Sequence, residues 1–259
     1  MAIPQEDLDA LKRAKLLLEE PSLAVKISNL LGTPIEQGFG LLPARWSESV
    51  HAAAHAALTR ALEVAVKTLH DERRGPSSDL LHKVAVAANG AAAGAFGLPA
   101  LFVELPLSTT LMLRSIADIA RSEGESLHDL ETRLACLEVF ALGGNPRSDD
   151  GARAGYFAIR TALARAVTEA ARHIAERGVI EEGSPALVRL IASIAGRFSL
   201  VVSEKAAAQA VPIIGAAGGA VINTVFIGHF QEMARGHFTV RRLERKFGAP
   251  EVRRLYDGL

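Results

Sequence analysis

Apolar residues recur every third or fourth position along most of this chain, and an alternating pattern never lasts more than a few residues, so the periodicity predicts helices throughout. The opening MAIPQEDLDALKRAKLLLEEP interleaves charges with leucines as an amphipathic helix does, without the basic start and apolar core of a secretory signal. Pro21 is placed to open a second helix through Leu31, which Gly32 closes. The turn formers of residues 33–43 interrupt the pattern. Pro43 is then placed to start a helix of about eight turns over PARWSESVHAAAHAALTRALEVAVKTLHDERR. Residues 75–79, GPSSD, read as a capped loop, and residues 143–155, GGNPRSDDGARAG, as a mobile linker. Leu127, Leu130, Leu134 and Leu137 mark one amphipathic helix with a single buried stripe; Tyr156, Ile159, Leu163, Val167, Ala170 and Ile174 mark another.

Two stretches break this amphipathic rule. Val84–Val103 carries twenty residues without a charge, and Ala206–Gly228 carries 23, a length sufficient to cross a bilayer. Both are rich in alanine and glycine, which transfer weakly into lipid, and both contain a proline, Pro99 or Pro212, that ends or bends a helix. Each therefore reads as an apolar hairpin of helix, corner and helix. Gly90 and Gly94, like Gly215 and Gly219, stand four apart, where two bare positions on one face let helices approach closely. Pro212, Gly215 and Gly219 are the expected structural corner. Asn89 and Asn223 lie inside these runs and need partners for their amides; Glu104, at an edge, is left to solvent, Arg114 or Lys205.

Composition sharpens the class. Alanine, leucine, valine and glycine dominate while aromatics are 5% of residues, a balance that favours close-packed helices. The expected fold is all-α, a multi-helix bundle with the two glycine-rich apolar hairpins packed at its core. Basic and acidic residues number 29 each, which removes any general attraction to nucleic acid. The single Cys136 excludes an internal disulfide framework and fits a reducing, cytoplasmic setting.

Residues 198–248, FSLVVSEKAAAQAVPIIGAAGGAVINTVFIGHFQEMARGHFTVRRLERKFG, resemble the signature of the EcsC protein family, through the VPIIGAAGGAVIN corner and its ARGHFTVRRLE continuation. KISNLLGTPIEQGFGLLP and CLEVFALGG are similar to that family too, so the likeness runs from about Lys26 to Tyr256. Pro212, Gly215, Gly219, Asn223, Phe226, His237 and Phe238 are the matching positions, most of them packing or corner residues. The resemblance implies one helical domain over residues 1–259 with an N-terminal extension at about 1–25, a bacterial protein, and a link in some members to a transport system involved in secretion. It brings no catalytic residues.

Candidate chemistry is sparse. Glu48 with His51, and Glu125 with His128, have the spacing of di-iron helical bundles, a reading that needs two further inward glutamates, and Glu125 follows a glycine in an expected turn. His51 and His55 are four apart without the adjacent glutamate of a zinc protease. His229, Glu232 and His237 follow the second apolar run directly and read either as a polar cluster able to hold a cation or lipid headgroup, or as an internal hydrogen-bond network. With Asn89 and Asn223 they are the candidate ligand-binding residues; no metal set and no cofactor is expected. From Arg235 to Arg254 seven basic residues face two acids, a local excess of five. Arg241, Arg242, Arg245 and Lys246 either attract an anionic membrane surface or pair with acids elsewhere in the fold. The resulting expectation is a non-enzymatic, membrane-associated or lipid-contacting accessory protein, cytoplasmic and peripheral to the inner face of the membrane, with an anionic surface or a membrane transport complex as partner. A metal-dependent hydrolase using the His/Glu cluster and a soluble carrier of an apolar ligand are the alternatives.

Overall fold

The computed structural model describes residues 3–19, 23–32, 35–69, 101–144, 155–177, 183–211 and 215–259. These residues form ten α-helices and no strand: α1 (Gln5–Glu19), α2 (Leu23–Leu31), α3 (Glu36–Phe39), α4 (Trp46–Thr68), α5 (Leu101–Ser122), α6 (Leu130–Leu142), α7 (Tyr156–Arg177), α8 (Pro185–Ala210), α9 (Gly215–Phe247) and α10 (Ala249–Gly258). The all-α bundle expected from the periodicity is the fold. The 75–79 loop, most of the first apolar run with Asn89, Gly90, Gly94 and Pro99, the Pro212 corner and residues 145–154 of the expected linker lie outside the described residues.

Local signals place several boundaries. Gly32 closes α2 in the left-handed region, at φ 63°, where a side chain would be strained. The helix expected from Pro43 starts instead at Trp46, because Arg45 adopts φ 65° and breaks the helical path just before it. It ends at Thr68, so its 23 residues make about six turns and not eight. The second apolar run does break where the proline was expected to act: α8 stops at Ala210 and α9 begins at Gly215.

The packing is organised by two helices. The 33 residues of α9 extend about 50 Å and touch α1, α2, α5, α6, α8 and α10. At its middle, Gly236 lets α1 come close: an added Cβ would lie 3.0 Å from the Ala14 carbonyl and 2.6 Å from Leu18 Cγ. The second organiser, α6, is surrounded by α4, α5, α7, α8 and α9. Its expected single buried stripe is a correction: every residue from Leu134 to Leu142 is buried, because the segment LACLEVFAL is apolar all round and has neighbours on all sides. Phe140 meets Phe198 of α8 and Phe230 of α9, each at 5.2 Å between ring centroids, in tilted or edge-on contacts that favour aromatic pairs. On α7 the expected stripe holds, with Tyr156, Ile159, Leu163, Ala170 and Ile174 buried.

Candidate functional site

The two uncharged runs are linked by a buried ionic centre. Glu104 of α5, just past the first run, pairs with Lys205 of α8, at the edge of the second. Asn223 of α9 donates to the same Glu104 Oε1 at 2.9 Å, and the Lys205 ammonium lies 4.7 Å from the Phe226 ring centroid. All three polar residues are buried. Burial pushes the Lys205 ammonium below its ordinary pKa, and Glu104 opposes that shift. Of the partners that sequence left open for Glu104, Lys205 is the one the fold supplies; the Asn223 amide nitrogen is satisfied by that carboxylate.

His229, Glu232 and His237 all lie on α9 but do not converge. His229 Nε2 donates to the Gly143 carbonyl at 3.0 Å, and burial depresses its pKa to about 4. Glu232 pairs with Lys26 of α2. His237 faces α7, where Tyr156 Oη lies 3.0 Å from its Nδ1. Arg160 donates to that same hydroxyl at 3.2 Å and holds Glu244 through two bonds of 2.8 and 3.1 Å. The guanidinium can only donate to the hydroxyl, while the direction of the Tyr156–His237 bond follows the imidazole tautomer. Burial first, and Arg160 and Arg241 with it, hold His237 well below the ordinary histidine range. The three residues thus bond inside the fold at three separate places, to Gly143, Lys26 and Tyr156. No group of three histidine, cysteine or acidic side chains among the described residues is placed to hold a metal ion.

The basic segment is tied back to the fold. Arg241 grips Glu125 through bonds of 2.8 and 3.3 Å, and Arg245 reaches the same carboxylate and the Glu123 carbonyl. Arg242 binds Glu123 at 2.7 Å, and Lys246 binds Asp7 of α1 at 2.6 Å. Burial raises the Glu125 pKa, but the two arginines outweigh it and leave the carboxyl below its usual range. Glu125 is thereby committed to arginine, while His51 and His55 are exposed.

What α5 does leave open is apolar. Phe102, Val103 and Leu107 are 46%, 78% and 50% exposed and form one outward patch over its first two turns, at the end of the first uncharged run. Val221, on α9 within two residues of Asn223, is exposed as well. Among the described helices, α8 alone is long and apolar enough to cross a membrane, yet half of that stretch is buried. Arg197 and Glu204 bind the Ala141 carbonyl and the Ala24 amide from it, as in a core helix.

Sequence reading missed Glu138, a carboxyl inside the apolar segment CLEVFALGG; its isolation among apolar residues was the available signal. No curated protein matches this chain, and no solved structure does. The EcsC family profile matches residues 11–243, a span that runs from α1, through the buried Glu104–Lys205–Asn223 centre, to the basic turn of α9. That match covers most of the 259 residues, and the chain belongs to the EcsC protein family.

Proposed function

We propose that this protein is a membrane-contacting accessory protein that touches lipid through the start of α5. The observation that carries the reading is the outward Phe102, Val103 and Leu107 patch at the end of the first uncharged run. Three half-exposed or better apolar side chains contribute on the order of 1 kcal/mol each when buried in lipid, which favours reversible attachment over insertion. The Glu104–Lys205–Asn223 centre supports this by fixing α5, α8 and α9 to one another beneath the patch.

The electrostatic part of the sequence expectation loses weight. Arg241, Arg242, Arg245 and Lys246 share Glu125, Glu123 and Asp7, so three of their four charges are compensated within the protein and the segment draws anionic lipid weakly. A cytoplasmic protein held peripherally on the inner membrane face is the corresponding localisation. Vesicle co-sedimentation of wild type and a Phe102→Ser/Val103→Asp/Leu107→Asp variant tests the reading, since these exposed positions leave the core intact. Wild type should pellet with phosphatidylcholine as well as phosphatidylglycerol vesicles, and the variant should stay in solution. Wild type remaining in the supernatant with both lipids would remove the proposal.

A further inference from the structure

Between α6, α7, the end of α9 and the start of α10 lies a cleft of about 580 Å³. Its floor carries Glu138, 7% exposed, which makes no hydrogen bond or ion pair among the described residues. A buried carboxyl without partners is costly unless something supplies them. At the mouth stands exposed Glu131, seven residues earlier on the same helix and so on the same face, about 10 Å along the axis. Ala135 lies between them, and Ala164 and Val167 of α7 face them, so the wall joining the two carboxyls is aliphatic.

The charges around the cleft decide its preference. Arg160 is held by Glu244 and Arg241 by Glu125, both through two bonds, and Arg253 at the rim lies 3.9 Å from Asp257. Arg160 and Arg241 act on Glu138 only from a distance, so Glu131 and Glu138 are the carboxyls of the cleft that no side chain among the described residues holds in an ion pair. We propose that this cleft is a binding site for a linear aliphatic diamine or polyamine, with one ammonium on Glu138, one on Glu131, and the methylenes along Ala135, Ala164 and Val167. At ordinary bond lengths six methylenes separate two nitrogens by roughly 9 Å, which suits the spacing of the carboxyls.

The geometry has a protonic consequence. Burial raises the Glu138 pKa to about 7 against the opposing pull of Arg160 and Arg241, so this carboxyl holds its proton to a higher pH than an ordinary glutamate. The titratable groups around Glu138 are Cys136 on its own helix, Tyr156 and Arg160 from α7, and Arg241 and Glu244 from α9, with Arg253 from α10 at the rim. A bound ammonium favours the ionised carboxylate, so binding at pH 7 releases a proton; an anion held by the arginines would instead cause uptake.

Calorimetric titration of the full chain with 1,6-diaminohexane, 1-aminohexane and inorganic phosphate, in buffers of different ionisation enthalpy, tests this. The diamine should bind at least tenfold tighter than the monoamine, with proton release. Glu138→Gln should weaken it at least tenfold and abolish the release, and the exposed Glu131→Gln should bring the diamine to the monoamine's level. No diamine binding, equal affinity for the two amines, indifference to both substitutions, or phosphate binding with proton uptake would each overturn the proposal. Circular dichroism of Glu138→Gln separates loss of the site from loss of fold, and Glu131→Gln keeps the test alive should that variant unfold.

Discussion

Glu104 and Glu138 are both carboxyls buried in the same helical bundle, and their surroundings have opposite consequences. Glu104 has an ammonium and an amide within hydrogen-bond reach and stays matched to Lys205 and Asn223. Glu138 has charges nearby but none in contact, and its proton affinity rises toward neutrality. Burial alone therefore does not make a group reactive or inert. What matters is whether the packing that removes water also brings a partner.

The sharpest way to break this comparison is to strip Glu104 of its cation. Lys205→Met leaves a buried carboxylate facing an apolar side chain and should cost about 3–5 kcal/mol in urea denaturation. Adding Glu104→Gln, which keeps an acceptor for Asn223, should recover most of that loss, and an unimproved double variant would show that the pair is not the origin of the cost. For Glu138 the expectation reverses. Its folded pKa of about 7 lies above the reference value of 4.5, so its contribution is present at low pH and disappears as pH rises through 7. From pH 5 to pH 8 the stability of Glu138→Gln relative to wild type should improve by about 2–3 kcal/mol. A pH-independent difference would mean that Glu138 is not protonated in the folded state.

His229 supplies the counterweight. Its folded pKa of about 4 lies below the reference 6.5, so the unfolded chain binds the proton first and stability falls as pH drops through that window. Lowering pH from 8 to 5 should cost about 2 kcal/mol through this side chain, and His237, shifted the same way, should add to it. Glu138→Gln should expose this acid lability by removing the term that opposes it, as thermal melts across pH would show. The smallest effect concerns the glycines. An added Cβ at Gly38 would stand 2.0 Å from the Ala207 carbonyl oxygen, so Gly38→Ala should lose about 1–3 kcal/mol by pushing α3 off α8. At Gly236 the nearest atom is Leu18 Cγ, a side-chain atom, and the backbone oxygen of Ala14 stands farther off at 3.0 Å, so Gly236→Ala should lose less in the same denaturation assay.

The candidate sites were unevenly legible. The break between α8 and α9, the closure of α2 by Gly32 and the buried stripe of α7 could be read from proline, glycine and periodicity, because those signals act through the local backbone. The close approaches of glycine could not be ranked in the same way. Gly38 and Gly236 look unremarkable in sequence, and only their neighbours reveal that a side chain would collide.

By itself the sequence determined that the described residues are helical and that the second uncharged run is interrupted, since these follow from spacings of a few residues. Tertiary structure decided the partners. Glu104 could have met solvent, Arg114 or Lys205, and packing of α5 on α8 and α9 chose the lysine across 101 residues of chain. The basic stretch after Arg235 could have remained a free positive surface, and the approach of Asp7, Glu123 and Glu125 bound four of its cations. Glu138 was visible as a lone carboxyl in an apolar helix, but whether it would be paired or left facing a cleft depended on the positions of α7, α9 and α10. Charge interactions depend on distance in space and on the exclusion of water, and neither quantity is written in the order of residues.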